Sequence, residues 1–180
     1  MAEANPVAQT WIGRGIYVAI VLFLIFVHLL PLDTMTRTWA PPDMMLAVTF
    51  AWAARRPDYV PALLIASAFV LTDILFHRPP GLWAGIVLIG SEVLRHRSPD
   101  LRAVAFPLEW LTVSLVVVGA VMANRLALAL AMAPQAPLPL VMFQMVATVM
   151  VYPVVTLLSY YIAGVDRPAP GAVDSLGHRI

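Results

Sequence analysis

Apolar residues occur along this chain in long, nearly continuous runs, without the alternation that is typical of a half-buried strand. Short segments rich in proline and arginine separate these runs. A run of about 20 apolar residues can cross a hydrocarbon core of about 30 Å as a helix. The pattern therefore predicts an all-α integral membrane protein with six transmembrane helices, at residues 15–32, 39–54, 59–76, 81–94, 106–124 and 140–163.

The second predicted helix is the shortest of the six. Its start at residues 41–43, Pro-Pro-Asp, combines proline in the first turn with a carboxylate that caps the N-terminus. Residues 39–54 rise only about 24 Å, so we expect this helix to lean on protein at one end. Residues 95–102 form the most basic predicted loop, in which Pro99 and Asp100 are interpreted as a helix start, and residues 126–133 extend the fifth helix.

Composition supports this class of protein. Only 12% of the 180 residues are charged and 61% are hydrophobic, against about 25% and about 45–50% in soluble domains. We therefore expect a single six-helix transmembrane domain over residues 1–163 and a flexible cytoplasmic tail over 164–180. The absence of cysteine excludes disulfides and thiolate chemistry. A net charge of +1 offers no basic surface for a nucleic acid.

Arginine alone predicts the orientation, because the chain contains no lysine. With six spans and a cytoplasmic N-terminus, eight arginines lie on the cytoplasmic side and three lie outside, namely Arg37, Arg78 and Arg125. Cytoplasmic loops of membrane proteins carry the excess of basic residues. The bias predicts that both termini are cytoplasmic.

Asp73 is an ionisable residue inside the third predicted helix, where a charge in contact with lipid is costly. It shares one helical face with the small residues Ala62 and Ala66. One interpretation makes Asp73 a carboxylate that binds a partner or handles an ion. In the other interpretation it snorkels to the outer interface or pairs locally with Arg78.

The fourth predicted helix repeats this arrangement, with Gly81, Gly85 and Glu92 on one face. Small residues four apart let two helices approach closely. We therefore expect the third and fourth helices to pack through these glycines and the alanines of the third helix. Glu92 is three residues before Arg95, and this spacing favours an ion pair on the helix surface.

Two further carboxylates, Asp43 and Glu109, lie in the first turns of predicted helices. There they offset the helix dipole, and contact with a partner is the functional alternative. The sixth helix carries a polar stripe at helical spacing, for which we favour packing between helices over a ligand cavity. The stripe consists of Gln144, Thr148, Tyr152, Thr156 and Ser159.

No constellation typical of catalysis is present in the sequence. It contains no phosphate-binding glycine loop, nucleophile elbow or HExxH motif, and its four histidines are scattered. A metal site needs several ligands close together. The sequence therefore predicts a protein without enzymatic activity, metal or cofactor.

Residues 39–94 resemble the MreD family of rod shape-determining proteins. The resemblance is carried by Ala-Pro-Pro-Asp-Met-Met-Leu-Ala at 40–47, Arg-Arg-Pro at 55–57, Thr-Asp-Ile-Leu at 72–75 and Pro-Gly-Leu at 80–82. One departure is Ala-Ser-Ala at 66–68, where the family tends to have glycine. Beyond residue 94 the similarity is only topological.

This resemblance implies a non-enzymatic scaffold in the bacterial inner membrane that controls rod shape and sidewall peptidoglycan synthesis. Its direct partner would be MreC, and through MreC it would act with MreB, RodA and the elongation transpeptidase. The family is also similar in fold to the substrate-binding subunits of energy-coupling-factor transporters, so a vitamin-transporter subunit is the alternative function. Such subunits carry an Ala-x-x-x-Ala stripe on the first helix, whereas here Phe23 follows Ala19.

Overall fold

The computed structural model describes residues 6–30 and 40–165, and within these ranges the chain is helical without any strand. Three helices are long and apolar enough to cross a membrane, and two more are short and apolar. The chain is therefore an all-helical membrane protein, as predicted. The helices are α1 (Pro6–Leu29), α2 (Met44–Arg55), α3 (Ala62–Leu75), α4 (Leu82–Ala103), α5 (Phe106–Leu130) and α6 (Leu138–Ala163), with a 3₁₀ turn over Pro57–Tyr59 before α3.

The short helix α2 lies at the centre of the bundle. Every residue from 45 to 54 is buried, and α1, α4, α5 and α6 all contact this helix. The predicted cap is confirmed, because the Oδ1 atom of Asp43 accepts the Leu46 N–H at 2.9 Å. The predicted position of proline in the first turn is wrong, since the helix begins at Met44 and Pro41 and Pro42 precede it. A helix of 12 residues rises only about 18 Å, so α2 is a core helix covered along its whole length instead of at one end.

The first helix contacts this core over part of its length. The Tyr17 hydroxyl lies 2.9 Å from the Thr49 hydroxyl of α2, and both side chains are buried. Gly13 lets α1 approach the 3₁₀ turn, because a Cβ at this position would lie only 2.5 Å from the Tyr59 ring. The rest of α1 presents apolar side chains to the surroundings, as a lipid-facing helix does.

The two longest helices, α5 and α6, extend beyond the start of α2. α6 runs alongside α2 in the same direction, because Thr148 contacts Asp43 and Ser159 contacts Trp52. The segment of α6 before Thr148 therefore rises about 15 Å beyond the start of α2. The end of α5 rises with it, and together these segments enclose a space above the N-terminus of α2.

α3 and α4 form an antiparallel hairpin of neighbouring helices, as predicted. α3 ends where His77 adopts a left-handed conformation, with φ of 54°. The Arg78 N–H donates to the Asp73 carbonyl and the His77 N–H to the Ile74 carbonyl, so two carbonyls of the last turn are satisfied. Gly81, with φ of 85°, then begins α4 in a conformation that favours glycine.

The predicted basic loop at 95–102 is wrong, because α4 continues as a helix to Ala103 with Pro99 in its interior. Leu94, Ser98 and Leu101 are buried at helical spacing on one side of this segment. Burial of that stripe offsets the backbone hydrogen bond that Pro99 cannot donate. Residues 166–180, most of the predicted tail, lie outside the described residues.

The predicted close approach at Gly81 and Gly85 is also wrong. A Cβ on either glycine would meet nothing within 4 Å. The close approach lies at Gly90 instead, where a Cβ would lie 2.8 Å from Phe50 of α2 and 3.1 Å from Val116 of α5. The tight face of α4 is therefore the one toward α2 and α5, and α3 packs against α4 without a close approach at Gly81 or Gly85.

Gly90→Ala is expected to destabilise the bundle, because the added methyl group overpacks against the rings and methyls around it. The expected loss is about 1–3 kcal/mol, the usual cost of overpacking. Gly85→Ala is the matched control and is expected to be neutral or more stable by up to about 1 kcal/mol, since alanine is the better helix former. Thermal melts of both variants in one detergent test this, and equal melting temperatures would contradict it.

Candidate functional site

Asp73 is completely buried and caps the following helix. Its Oδ2 atom accepts the backbone N–H groups of Gly81 at 3.0 Å and Ala84 at 3.2 Å. These are orphan donors of the first turn of α4, where a negative charge also meets the positive end of the helix dipole. The guanidinium of Arg78 lies over the Phe76 ring, so Asp73 serves the α4 N-terminus and not a local ion pair.

The other oxygen of this carboxylate, Oδ1, is buried without a hydrogen-bond partner. The bonds that Asp73 makes through Oδ2 give this residue a role within the fold, at the α3–α4 turn. The prediction that Asp73 also binds a partner or an ion stays a prediction. A partner helix on the outside of the bundle would not touch this side chain, because none of it is exposed.

Asp73→Ala is expected to lower stability by about 0.5–2 kcal/mol, the usual cost of losing an N-terminal cap. Asp73→Asn is expected to lose less, because its amide oxygen can still accept the two N–H groups. Melting of both variants in the same detergent, alongside hydrogen exchange at residues 81–84, measures the effect. Unchanged melting and exchange in Asp73→Ala would show that the cap carries no free energy.

Glu109 forms a buried polar cluster at the C-terminal end of α2, where Arg55 is the last helical residue. Only 1% of its side chain is exposed. Arg55 Nε lies 2.8 Å from Glu109 Oε1, and the Tyr152 hydroxyl donates to the same oxygen at 2.7 Å. The guanidinium of Arg55 also lies 5.8 Å from the centre of the Phe106 ring. One carboxylate thus connects α2, α5 and α6.

Sequence analysis missed this cluster. It assigned Glu109 to the dipole of its own helix and Tyr152 to a packing stripe. The available signal was that Arg55 and Glu109 are opposite charges at helix ends that the predicted topology places on the same side of the membrane. A separation of 54 residues gives no local pattern that would pair them.

The polar stripe of α6 is used mostly for packing between helices, as predicted. Ser159 accepts the indole N–H of Trp52 at 3.0 Å, and Thr148 accepts the backbone N–H of Asp43 at 2.9 Å. Thr156 donates to the carbonyl of Pro153 within its own helix. Gln144, at the start of the stripe, instead lines a cavity.

Replacing Glu109 alone by leucine is expected to destabilise the protein by about 3–5 kcal/mol, because Arg55 is left buried without its counterion. The double variant Arg55→Leu/Glu109→Leu is expected to lose less than this single variant, since no charge remains in the core. Tyr152→Phe, which removes one hydrogen bond, should cost about 1–2 kcal/mol. Thermal melts of the three variants decide the order, and a double variant less stable than Glu109→Leu would contradict it.

Glu92 lies on the outside of the bundle and pairs with Arg95, as predicted. Its carboxylate oxygen is 3.2 Å from Arg95 Nε, an ion pair without the geometry of a hydrogen bond. The Glu92 side chain is 41% exposed. Arg95 also donates to the carbonyl of Val60 at 2.6 Å, which fixes the pair against the segment before α3.

A cavity of about 620 Å³ occupies the space above the start of α2. Its walls come from the N-terminus of α2, the α3–α4 turn, the end of α5, the α5–α6 turn and the start of α6. The polar side chains that line it are Asp43, His77, Arg78, Asn124, Arg125, Gln135, Gln144 and Thr148. The sequence alone did not predict this site, although it placed Arg78 and Arg125 among the three arginines on the outer side.

The clusters differ in the chemistry that they allow. No three histidine, aspartate or glutamate side chains among residues 6–30 and 40–165 come together as metal ligands. The Glu109 cluster is closed and its groups bond to one another. The cavity, by contrast, is lined by both apolar and charged groups.

No family model matches the chain, and neither a curated protein nor a solved structure shows a match.

Proposed function

We propose that this protein is a scaffold of the bacterial cell-elongation machinery, without enzymatic activity. In this proposal it crosses the inner membrane six times with both termini in the cytoplasm, and it binds the single membrane helix of MreC. Through MreC it would act on sidewall peptidoglycan synthesis together with MreB, RodA and the elongation transpeptidase. The resemblance at residues 39–94 supports this choice of machinery.

The roles of the carboxylates Asp43, Asp73 and Glu109 support a scaffold more than a catalyst. Asp43 and Asp73 accept backbone N–H groups at the starts of α2 and α4, and Glu109 is paired with Arg55. Each of these carboxylates thus pairs with a backbone N–H group or an arginine of the same chain. A reaction site would need such groups to converge on an open position beside a substrate.

The observation that carries the proposal is the partly exposed ion pair of Glu92 and Arg95 on the face of α3 and α4. Large apolar side chains surround the helices on this side, and Leu63 is 82% exposed. A charged pair beside such side chains is costly where it contacts lipid tails. A partner helix that covers Glu92 and Arg95 with a polar group of its own would remove that cost. The exposed apolar side chains of α3 and α4 include Leu63, Val70, Leu71, Ile74, Ile89 and Val93.

The pair lies near the start of α3, because Arg95 donates to the carbonyl of Val60, two residues before that helix begins. In the proposed orientation this end of α3 and α4 is near the cytoplasmic side of the membrane. A partner that covers both the pair and the exposed apolar side chains beside it must itself be a membrane helix, and in the MreD-like machinery MreC supplies one.

Glu92→Gln is expected to weaken recovery of MreC by about tenfold, equivalent to about 1.4 kcal/mol of binding free energy. The reason is that the charge on which the interface depends is removed while every helix cap is left intact. Pull-down from cells that express the variants at matched levels, with cell width measured in parallel, tests this.

Asp100→Asn is the matched control, because it removes the same charge from an exposed position on the same helix. It should recover MreC as the parent does. Normal MreC recovery in Glu92→Gln would overturn the assignment of this face. Recovery of ATPase subunits and a retained vitamin, in place of MreC, would instead support the transporter alternative.

A further inference from the structure

We propose that the cavity above the start of α2 binds a small amphipathic anion. A carboxylate or phosphate head would pair with Arg78 and Arg125, and an apolar body would lie against the inner walls. This site lies at the other end of α2 from the Glu109 cluster, and it does not depend on the scaffold function.

The cavity follows directly from the lengths of the helices. α2 has 12 residues, whereas α5 has 25 and α6 has 26. Because α5 and α6 rise beyond the start of α2, nothing from α2 fills the space between them and the α3–α4 turn. The resulting volume of about 620 Å³ lies within the range of about 300–1,000 Å³ that small-molecule sites occupy.

The charges that line the cavity favour an anion. Asp43 is its only acidic side chain among the described lining residues, and its Oδ1 atom accepts the Leu46 N–H at the start of α2. The positive end of the α2 dipole offsets that carboxylate. Arg78 and Arg125 line the same space, and within the described ranges neither forms an ion pair with a carboxylate.

Arg125 is held in place by the turn that follows its helix. One of its guanidinium nitrogens donates to the Ala136 carbonyl at 3.2 Å, and Gln135 donates to the Arg125 carbonyl at 3.3 Å. An arginine in an otherwise apolar helix is costly unless its charge is compensated. Guanidinium carries five N–H donors in a fixed fork that suits a carboxylate or a phosphate.

The inner walls suit an apolar body attached to that head. Leu46 and Trp83 are buried core residues that line the cavity, and Val121, Val141 and Met145 line it from α5 and α6. A purely ionic ligand such as inorganic phosphate would leave these apolar surfaces without a partner. An amphiphile satisfies both parts of the lining, because its head pairs with arginine and its body covers the aliphatic side chains and the indole.

Two sources supply molecules of this chemistry: the anionic lipids of the membrane and soluble organic acids. Phosphatidylglycerol carries an anionic head on long acyl chains, and octanoate is a short soluble carboxylate. Both would present the same kind of group to Arg78 and Arg125. They can be distinguished by offering each one separately to the full-length protein.

For the lipid, the protein is placed in nanodiscs of phosphatidylcholine with phosphatidylglycerol, and native mass spectrometry counts the lipids that remain bound. For the soluble acid, octanoate is titrated during thermal melts in a neutral detergent. Arg125→Gln and Arg78→Gln test the site, and Arg97→Gln is the matched control because it removes the same charge from an exposed position elsewhere. Each arginine variant should weaken binding of the relevant probe by about tenfold, whereas the control should not.

Selective loss of phosphatidylglycerol from Arg125→Gln or Arg78→Gln supports the proposal with lipid as the source. Loss of the octanoate-induced rise in melting temperature supports it with a soluble acid as the source. If Arg125→Gln does not fold, Arg78→Gln alone tests whether the cavity binds an anion. The described hydrogen bonds to the α5–α6 turn are made by Arg125 and not by the Arg78 side chain. Binding of neither probe by the parent, or equal binding in parent and both variants, overturns the proposal.

Discussion

A helix shorter than the thickness of a hydrocarbon core lies at the centre of this bundle, and the surrounding structure depends on that constraint. α2 rises about 18 Å, so both of its ends lie inside the protein, where unpaired polar groups are costly. Asp43 accepts a backbone N–H group of the first turn, and Arg55 in the last turn forms an ion pair with the carboxylate of Glu109. Between these ends α2 presents only buried side chains, and Trp52 and Thr49 bond to neighbouring helices.

The bundle has two surfaces with different chemistry, and the short length of α2 creates the first. Long helices that pass a short one leave a cavity above it, and this cavity has arginine in its wall. The α3–α4 hairpin turns Glu92 and Arg95 outward, beside exposed apolar side chains. The first surface is a concave cavity with apolar and charged walls, and the second is an apolar helix face with one ion pair. Because they lie at different positions along α4, a partner on one need not exclude a ligand in the other.

Much of the helical framework could be predicted from local sequence signals. Hydropathy and proline positions located all six helices, the Asp43 cap located the start of α2, and spacing located the Glu92–Arg95 pair. Pro99 misled the prediction, because the local rule for proline ignores the buried stripe that continues α4. The predicted close approach at Gly85 failed for a related reason. A small residue permits a close contact, but only the neighbouring helices decide whether one occurs.

The sequence by itself determined that this is a helical membrane protein, because hydrophobic length and capping are properties of a few adjacent residues. Only the tertiary structure decided which polar groups meet, since Arg55 and Glu109 are 54 residues apart and Trp52 and Ser159 are 107 apart. Asp73 shows the difference within one residue. Its place on one helix face with Ala62 and Ala66 followed from their spacing, whereas its burial and its role as the cap of α4 depended on how the α3–α4 turn folds back. The cavity likewise required the relative heights of three helices, which no local pattern encodes.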